Sequence, residues 1–199
     1  ELMLLDSGGQ YLSGTTDITR TLFTGSTNAK QKQHFTLVLK GMIAISMLKF
    51  PKGTTGSQID IMARHALWQN GLNYSHGTGH GVGAFLSVHE GPAGIAPRYN
   101  VPLKAGMIIS NEPGYYLEGE YGIRIENLVH VINSADFEGF LAFETLTLAP
   151  IDTRLLDLSL LDSKEINWLN KYHSQVREQI SPHLEHDQKS WLHRATTAI

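Results

Sequence analysis

At 199 residues with 41% hydrophobic side chains, the chain has the length for one domain, or one domain with an appendage, and for a substantial core. A formal net charge of -3 without a long basic run excludes an electrostatic footprint for nucleic acid, and no apolar stretch approaches the ~20 residues that span a bilayer. The absence of cysteine excludes disulfides and thiolate metal sites, so any bound metal must be held by oxygen and imidazole.

The sequence opens at Glu1 without an initiator methionine or signal-peptide pattern and runs at once into Leu2-Met3-Leu4-Leu5. This reads as a strand entered partway through a longer protein. Leu2 to Phe23 is rich in Gly, Thr, Tyr and Leu with turn residues at Ser13 and Gly14, which predicts a hairpin. With its midpoint between Tyr11 and Leu12, Asp6 and Asp17 stand near one another across the ladder, subject to a shift of register by the turn. Two helices follow. Phe35, Val38, Leu39, Met42, Ile45 and Leu48 recur at helical spacing before Pro51; Ile59, Met62, Ala63, Ala66 and Leu67 do so before Gly71.

Residues 73–100 are glycine- and histidine-rich with little periodicity and read as loop plus short strand. Two strands are expected near Met107 to Glu112 and Ile123 to Ile132. A hairpin centred on Gly119 sets Glu112 opposite Glu126, with both carboxylates on one face. Phe140 to Leu148 reads as a further strand. After Pro150 the character changes: Asp162 and Glu165 resemble a capping box, Leu169, Tyr172, Val176 and Ile180 form a helical stripe, and Pro182 stops it. The linker from Ala149 to Leu161 is the expected boundary, dividing residues 1–151 from a helical extension at 152–199.

Five residues in unusual motifs carry the chemistry: Asp6 in LLDSGGQY, Asp17 in GTTDITRT, His80 in HGTGHGVG, Glu112 in ISNEPGYY and Glu126 in GIRIEN. A lone Asp or Glu in a strand is far more often a solvated residue than a ligand, and Asp17 by itself reads as loop polarity. Their joint occurrence outweighs this. Two pairs of carboxylates converging without a cation repel one another, and two divalent cations remove the conflict. Oxygen ligands with one imidazole suit manganese, cobalt, iron or zinc, held ~3.5–4 Å apart when carboxylates bridge them. Gly79-x-Gly81-x-x-Ala84 formally fits a dinucleotide fingerprint, but no β-rich run precedes it and no acidic residue lies about 20 positions on. His76 and His89 divide evenly between hydrogen-bonded structural roles and functional ones. Arg124, two residues before Glu126, falls on its face as a partner for a carboxylate or for Asp17.

These motifs resemble the pita-bread metallopeptidases, the superfamily of methionine aminopeptidase, prolidase, aminopeptidase P and creatinase, from Leu2 to about Asp152. The resemblance implies an α+β pita-bread fold, truncated at its N-terminal side, with a curved antiparallel sheet and flanking helices. It implies Asp6 as terminal ligand of one metal, His80 and Glu112 as ligands of the other, and Asp17 and Glu126 as bridging carboxylates. His76 and His89 match histidines that contact substrate in the proline-specific branch. HGTGHGVG with VHEGP, NEPGYY and FETLTLAPID look most like the long aminopeptidase P group. That implies two divalent ions, with Mn2+ favoured over Co2+, Fe2+ or Zn2+, and hydrolysis of Xaa-Pro bonds by a metal-bridged water or hydroxide. It further implies peptide substrates with penultimate proline, a cytoplasmic location and a homodimeric parent. Alternatives on the same scaffold are a prolidase- or creatinase-like hydrolase and a non-catalytic binding module. The family carries sequence ahead of Asp6, including another active-site histidine. The 199-residue piece is therefore expected to fold, to self-associate through exposed apolar surface, and to hydrolyse Xaa-Pro peptides poorly.

Overall fold

The computed structural model describes residues 1–85 and 87–199. A hairpin of β1 (Leu2–Tyr11) and β2 (Gly14–Phe23) leads into helix α1 (Ala29–Ser46). Strand β3 (Lys49–Pro51), helix α2 (Gly56–Trp68) and two short strands, β4 (Gly79–His80) and β5 (Gly94–Ile95), follow. Next come β6 (Ile108–Asn111), β7 (Gly114–Leu117), β8 (Tyr121–Arg124), β9 (Asn127–Asn133) and β10 (Phe140–Thr145). Helices α3 (Ser163–Ile180) and α4 (His186–Ala195) close the chain. The largest sheet has the order β3-β10-β9-β6, antiparallel throughout. Among the described residues no helix is long and apolar enough to cross a membrane.

Helix α1 is apolar on more than one side because it is enclosed. Phe35, Val38, Leu39 and Met42 join Ile123, Ile125, Tyr172 and Val176 in one cluster, while Ile45 joins Phe50, Ile109, Val129 and Leu141 in a second. Each such side chain contributes ~1.5–3 kcal/mol by burial. The helix starts where Asn28 and Gln31 form a capping box. Its close approach to α2 requires Gly41, since a Cβ there would lie 2.2 Å from the Ala63 carbonyl oxygen.

The capping box at Asp162 and Glu165 is present, and Glu165 also pairs with Lys40 of α1 at 2.6 Å, which ties α3 to the first cluster. Within the helical extension expected at 152–199, no separate pattern marks helix α4: its only buried side chain is Leu192, so its sequence carries almost no apolar stripe. The strand expected to run to Leu148 ends at Thr145. There the Thr147 hydroxyl, in place of a ladder carbonyl, accepts the Leu128 N–H at 2.8 Å.

His173 of α3 gives the fold an acid limit. It is 1% exposed, and its Nε2 accepts the Ile151 N–H at 3.1 Å, which requires the neutral ring. Burial, with Arg20 and Arg177 nearby, lowers its pKa from 6.5 to about 4. The unfolded chain takes up this proton near pH 6.5 and the folded chain only near pH 4, so stability is full above 6.5 and falls through that window. The loss reaches up to ~3 kcal/mol. Glutamine retains an acceptor and does not titrate. His173→Gln should therefore flatten the urea-midpoint curve between pH 6.5 and 4; curves parallel to wild type would remove His173 as the cause.

Candidate metal centre

The first pair of carboxylates comes from the β1/β2 hairpin. The turn is made by Leu12 and Ser13, so Tyr11 pairs with Gly14, Asp6 with Thr19 and Asp17 with Gly8. The expected midpoint is thus displaced by one residue, and Asp6 and Asp17 are diagonal rather than directly opposed. Both still lie on one face, because side chains alternate with period two and the offset is even.

The second pair comes from the long hairpin about Gly119. Both β6/β9 and β7/β8 keep the anticipated register, but the ladder is broken between them, so the two expected strands are four. The break falls at the glutamates. Glu112 N–H donates to the Thr78 carbonyl at 2.7 Å and Glu126 N–H to the Thr19 carbonyl at 3.0 Å, while Pro113 has no N–H to offer. Amides taken by neighbouring elements instead of the facing strand draw this hairpin against β2 and the loop before β4. Ile123 and Ile125 point into the first apolar cluster, leaving Glu126 on the opposite side.

His80 reaches the same place from β4. A Cβ on Gly79 would lie 1.8 Å from the Ser110 carbonyl oxygen, so only glycine lets β4 lie against β6. Ser110 Oγ accepts the His80 N–H at 2.9 Å and donates to Glu112 Oε1 at 2.9 Å. With His80 Nδ1 on the Gly81 carbonyl at 3.0 Å, Nε2 faces Glu112 at 3.1 Å and Asp17 at 3.5 Å.

Ligand atoms of Asp6, Asp17 and Glu126 lie within 4.8 Å of one another, and so do those of His80, Glu112 and Glu126. Glu126 belongs to both sets. Asp17 also groups with His80 and His89, so it too reaches both halves. Glu126 is 2% exposed; one carboxylate oxygen accepts the Thr19 hydroxyl at 2.7 Å, and the other has no partner among the described residues. Burial, then the charges of Glu112 and Asp17, raise its pKa to about 8. Burial opposes charge on His80, but Asp17 and Glu112 outweigh it and raise that pKa to about 10. A buried carboxylate oxygen without a donor among converging acidic groups fits divalent cations.

Arg124 is the fixed cation of the site. Its guanidinium meets Asp6 at 2.6 Å, Thr19 Oγ1 at 3.1 Å and Tyr116 Oη at 3.0 Å, with Glu112 at 3.8 Å. Its carboxylate partners are therefore Asp6 and Glu112, not Asp17. His76 stands outside the ligand groups, its Nδ1 at 2.8 Å from the Gly77 carbonyl and its Nε2 at 2.9 Å from Tyr116 Oη. His89 lies closer in, edge-on to His80 with centroids 4.0 Å apart. A cavity of about 510 Å³ exposes Asp6, His76, His80, His89, Glu112 and Tyr116 together. Sequence reading missed Thr19, Ser110 and Tyr116. Each lies two or four residues from a ligand on an alternating stretch, and that parity was the available signal.

The model of metallopeptidase family M24 matches residues 1–133, and that of the C-terminal region of peptidase M24 matches residues 139–199. The chain is 51% identical to aminopeptidase P1 of Lotus japonicus and 52% identical to a probable Xaa-Pro aminopeptidase P of Coprinopsis cinerea. All of the chain is covered in both, against 31% and 34% of those proteins. It thus spans about a third of the length of these curated relatives. A crystal structure of X-prolyl aminopeptidase from Caenorhabditis elegans, described as a cytosolic enzyme with a di-nuclear active site, superposes with a TM-score of 0.96 at 45% identity. That match covers 100% of this chain and 34% of the other. Prolidase from Pyrococcus furiosus gives 0.62 at 32% identity over 73% of this chain and 41% of the other. The fold is the pita-bread α+β fold expected from the motifs, and the chain belongs to metallopeptidase family M24.

Proposed function

We propose that the protein bearing this chain is a dinuclear metallo-aminopeptidase that releases the N-terminal residue from peptides with proline in second position. The observation that carries the reading is Glu126, a buried carboxylate common to two ligand sets, in a chain whose relatives are named for Xaa-Pro aminopeptidase activity. Asp6 would serve one ion, His80 and Glu112 the other, and Asp17 and Glu126 both. The donor set of oxygen and a single imidazole favours Mn2+, with Co2+, Fe2+ or Zn2+ as alternatives. The ions, when bound, supply a Lewis acid and lower the pKa of water toward neutrality.

The chain's own residues do the rest. Arg124 holds Asp6 and offsets the acidic excess, and the Tyr116 hydroxyl orients His76. His89 presents a ring N–H to substrate or to the developing oxyanion, and His76, its Nδ1–H held by the Gly77 carbonyl and its Nε2 by the Tyr116 hydroxyl, lines the same cavity as a substrate contact. Peptides with penultimate proline are the substrates, residues 152–199 form the helical C-terminal extension, and the parent is a cytoplasmic homodimer. The test is a Mn2+-loaded assay of the whole protein on Xaa-Pro-Yaa tripeptides, Xaa-Pro dipeptides and creatine. Tripeptides should be cleaved by far the fastest. Faster turnover of the dipeptide or of creatine would replace this reading with a prolidase- or creatinase-like one.

A further inference from the structure

Asp60 and Arg64 form an ion pair on α2 that the proposed reaction does not use. They are 4% and 7% exposed, with Arg64 Nε 2.7 Å from Asp60 Oδ2. A buried pair of this kind is weak evidence of stabilisation, because desolvation offsets much of the attraction. Its partners show what it supplies instead. Arg64 donates to the Tyr74 carbonyl at 2.7 Å, the His76 carbonyl at 2.9 Å and Asn73 Oδ1 at 3.1 Å. Asp60 Oδ1 accepts the Thr78 hydroxyl at 2.6 Å; that hydroxyl in turn accepts from Tyr74 Oη, and the Thr78 carbonyl accepts the Glu112 N–H at 2.7 Å.

Residues 72–78 contain no helix or strand, and glycines flank Thr78 on both sides. No regular ladder holds this segment. The two charged side chains, one helical turn apart on α2, grip it on either side of His76, and their reach extends through Thr78 to the main chain of Glu112.

We infer that Asp60, Arg64 and Thr78 are positioning residues that set His76 toward substrate and Glu112 toward the metal. The inference rests on the site reading above. Residues behind metal ligands commonly govern affinity by ~10–100-fold, and small misplacements near the reacting atoms are costly in rate.

Thr78→Val removes the hydroxyl at nearly constant shape, and Thr78→Ser restores it. Arg64→Lys keeps the charge but loses the planar fork. Each is made in the whole protein and followed by Mn2+ titration calorimetry, Xaa-Pro-Yaa kinetics and histidine side-chain NMR. The expected result for Thr78→Val is a ~10–100-fold loss in Mn2+ affinity and in kcat, with KM within about threefold of wild type since the displaced groups, Glu112 above all, act at the reacting centre rather than in ground-state binding. The His76 imidazole signals should shift, and Thr78→Ser should return all three readouts. Arg64→Lys should displace the His76 signals in the same way, and it decides the matter should the valine variant fail to fold. Unshifted His76 signals in both Thr78→Val and Arg64→Lys would overturn the inference, as would loss of function that serine does not rescue. A wild type that binds no Mn2+ would instead reject the metal reading, and the His76 signals would still decide this one.

Discussion

In the whole protein, Glu126→Gln should lower the proposed Xaa-Pro hydrolysis by more than the ~100-fold loss typical of an outer-shell partner, and it should weaken binding at both proposed metal positions together. The reason is that this one carboxylate belongs to both ligand sets. Glutamine keeps the shape and can still accept the Thr19 hydroxyl, but it has no charge to share between two cations. The same substitution should stabilise the metal-free protein. The Glu126 carboxyl has a folded pKa of about 8, raised from 4.5 by burial, Glu112 and Asp17, so its ionisation opposes folding increasingly as pH rises from 4.5 to 8. After chelation, the variant's melting temperature should exceed that of wild type at pH 8, and the gap should close toward pH 4.5. Metal titration and melting curves check both effects. Glu118→Gln, at the exposed tip of the hairpin, is the control and should change neither. Loss of only one metal equivalent would show that Glu126 does not bridge.

The second large effect belongs to Arg20. It is 6% exposed and has no carboxylate partner among its hydrogen bonds. Its guanidinium donates instead to the carbonyls of Thr19, Glu126, Ala149 and Pro150, to Asn127 Oδ1 and to Tyr172 Oη. One side chain thereby joins the β1/β2 hairpin, the glutamate-bearing hairpin and helix α3. Burial lowers its pKa, yet arginine stays charged across any ordinary pH. Arg20→Lys offers three donors to six acceptors and should cost about 3–5 kcal/mol. Tyr172→Phe leaves most of the network intact and should cost about 1 kcal/mol. Urea unfolding followed by the fluorescence of Trp168, which stacks on Tyr172 at 5.2 Å, would measure both. Equal midpoints for wild type and Arg20→Lys would show the network to be incidental.

The amino-acid sequence by itself determined the family, the residue types gathered at the candidate site and the faces on which they stand. Face is a matter of parity. The hairpin about Gly119 puts Glu112 opposite Glu126 through its turn, and the slip at Leu12–Ser13 moved Asp6 from Asp17 to Thr19 without turning either aspartate away. Tertiary structure alone decided where the ladder breaks, because the Glu112 and Glu126 amides leave it for Thr78 and Thr19. It alone gave Arg20 its carbonyls on a distant segment, and Asp60 and Arg64 their hold on the loop around His76. Such bonds join side chains to backbone or hydroxyl groups of other segments. They follow no period of two or 3.6, so no local pattern announces them, and they exist only once apolar burial has brought the segments together.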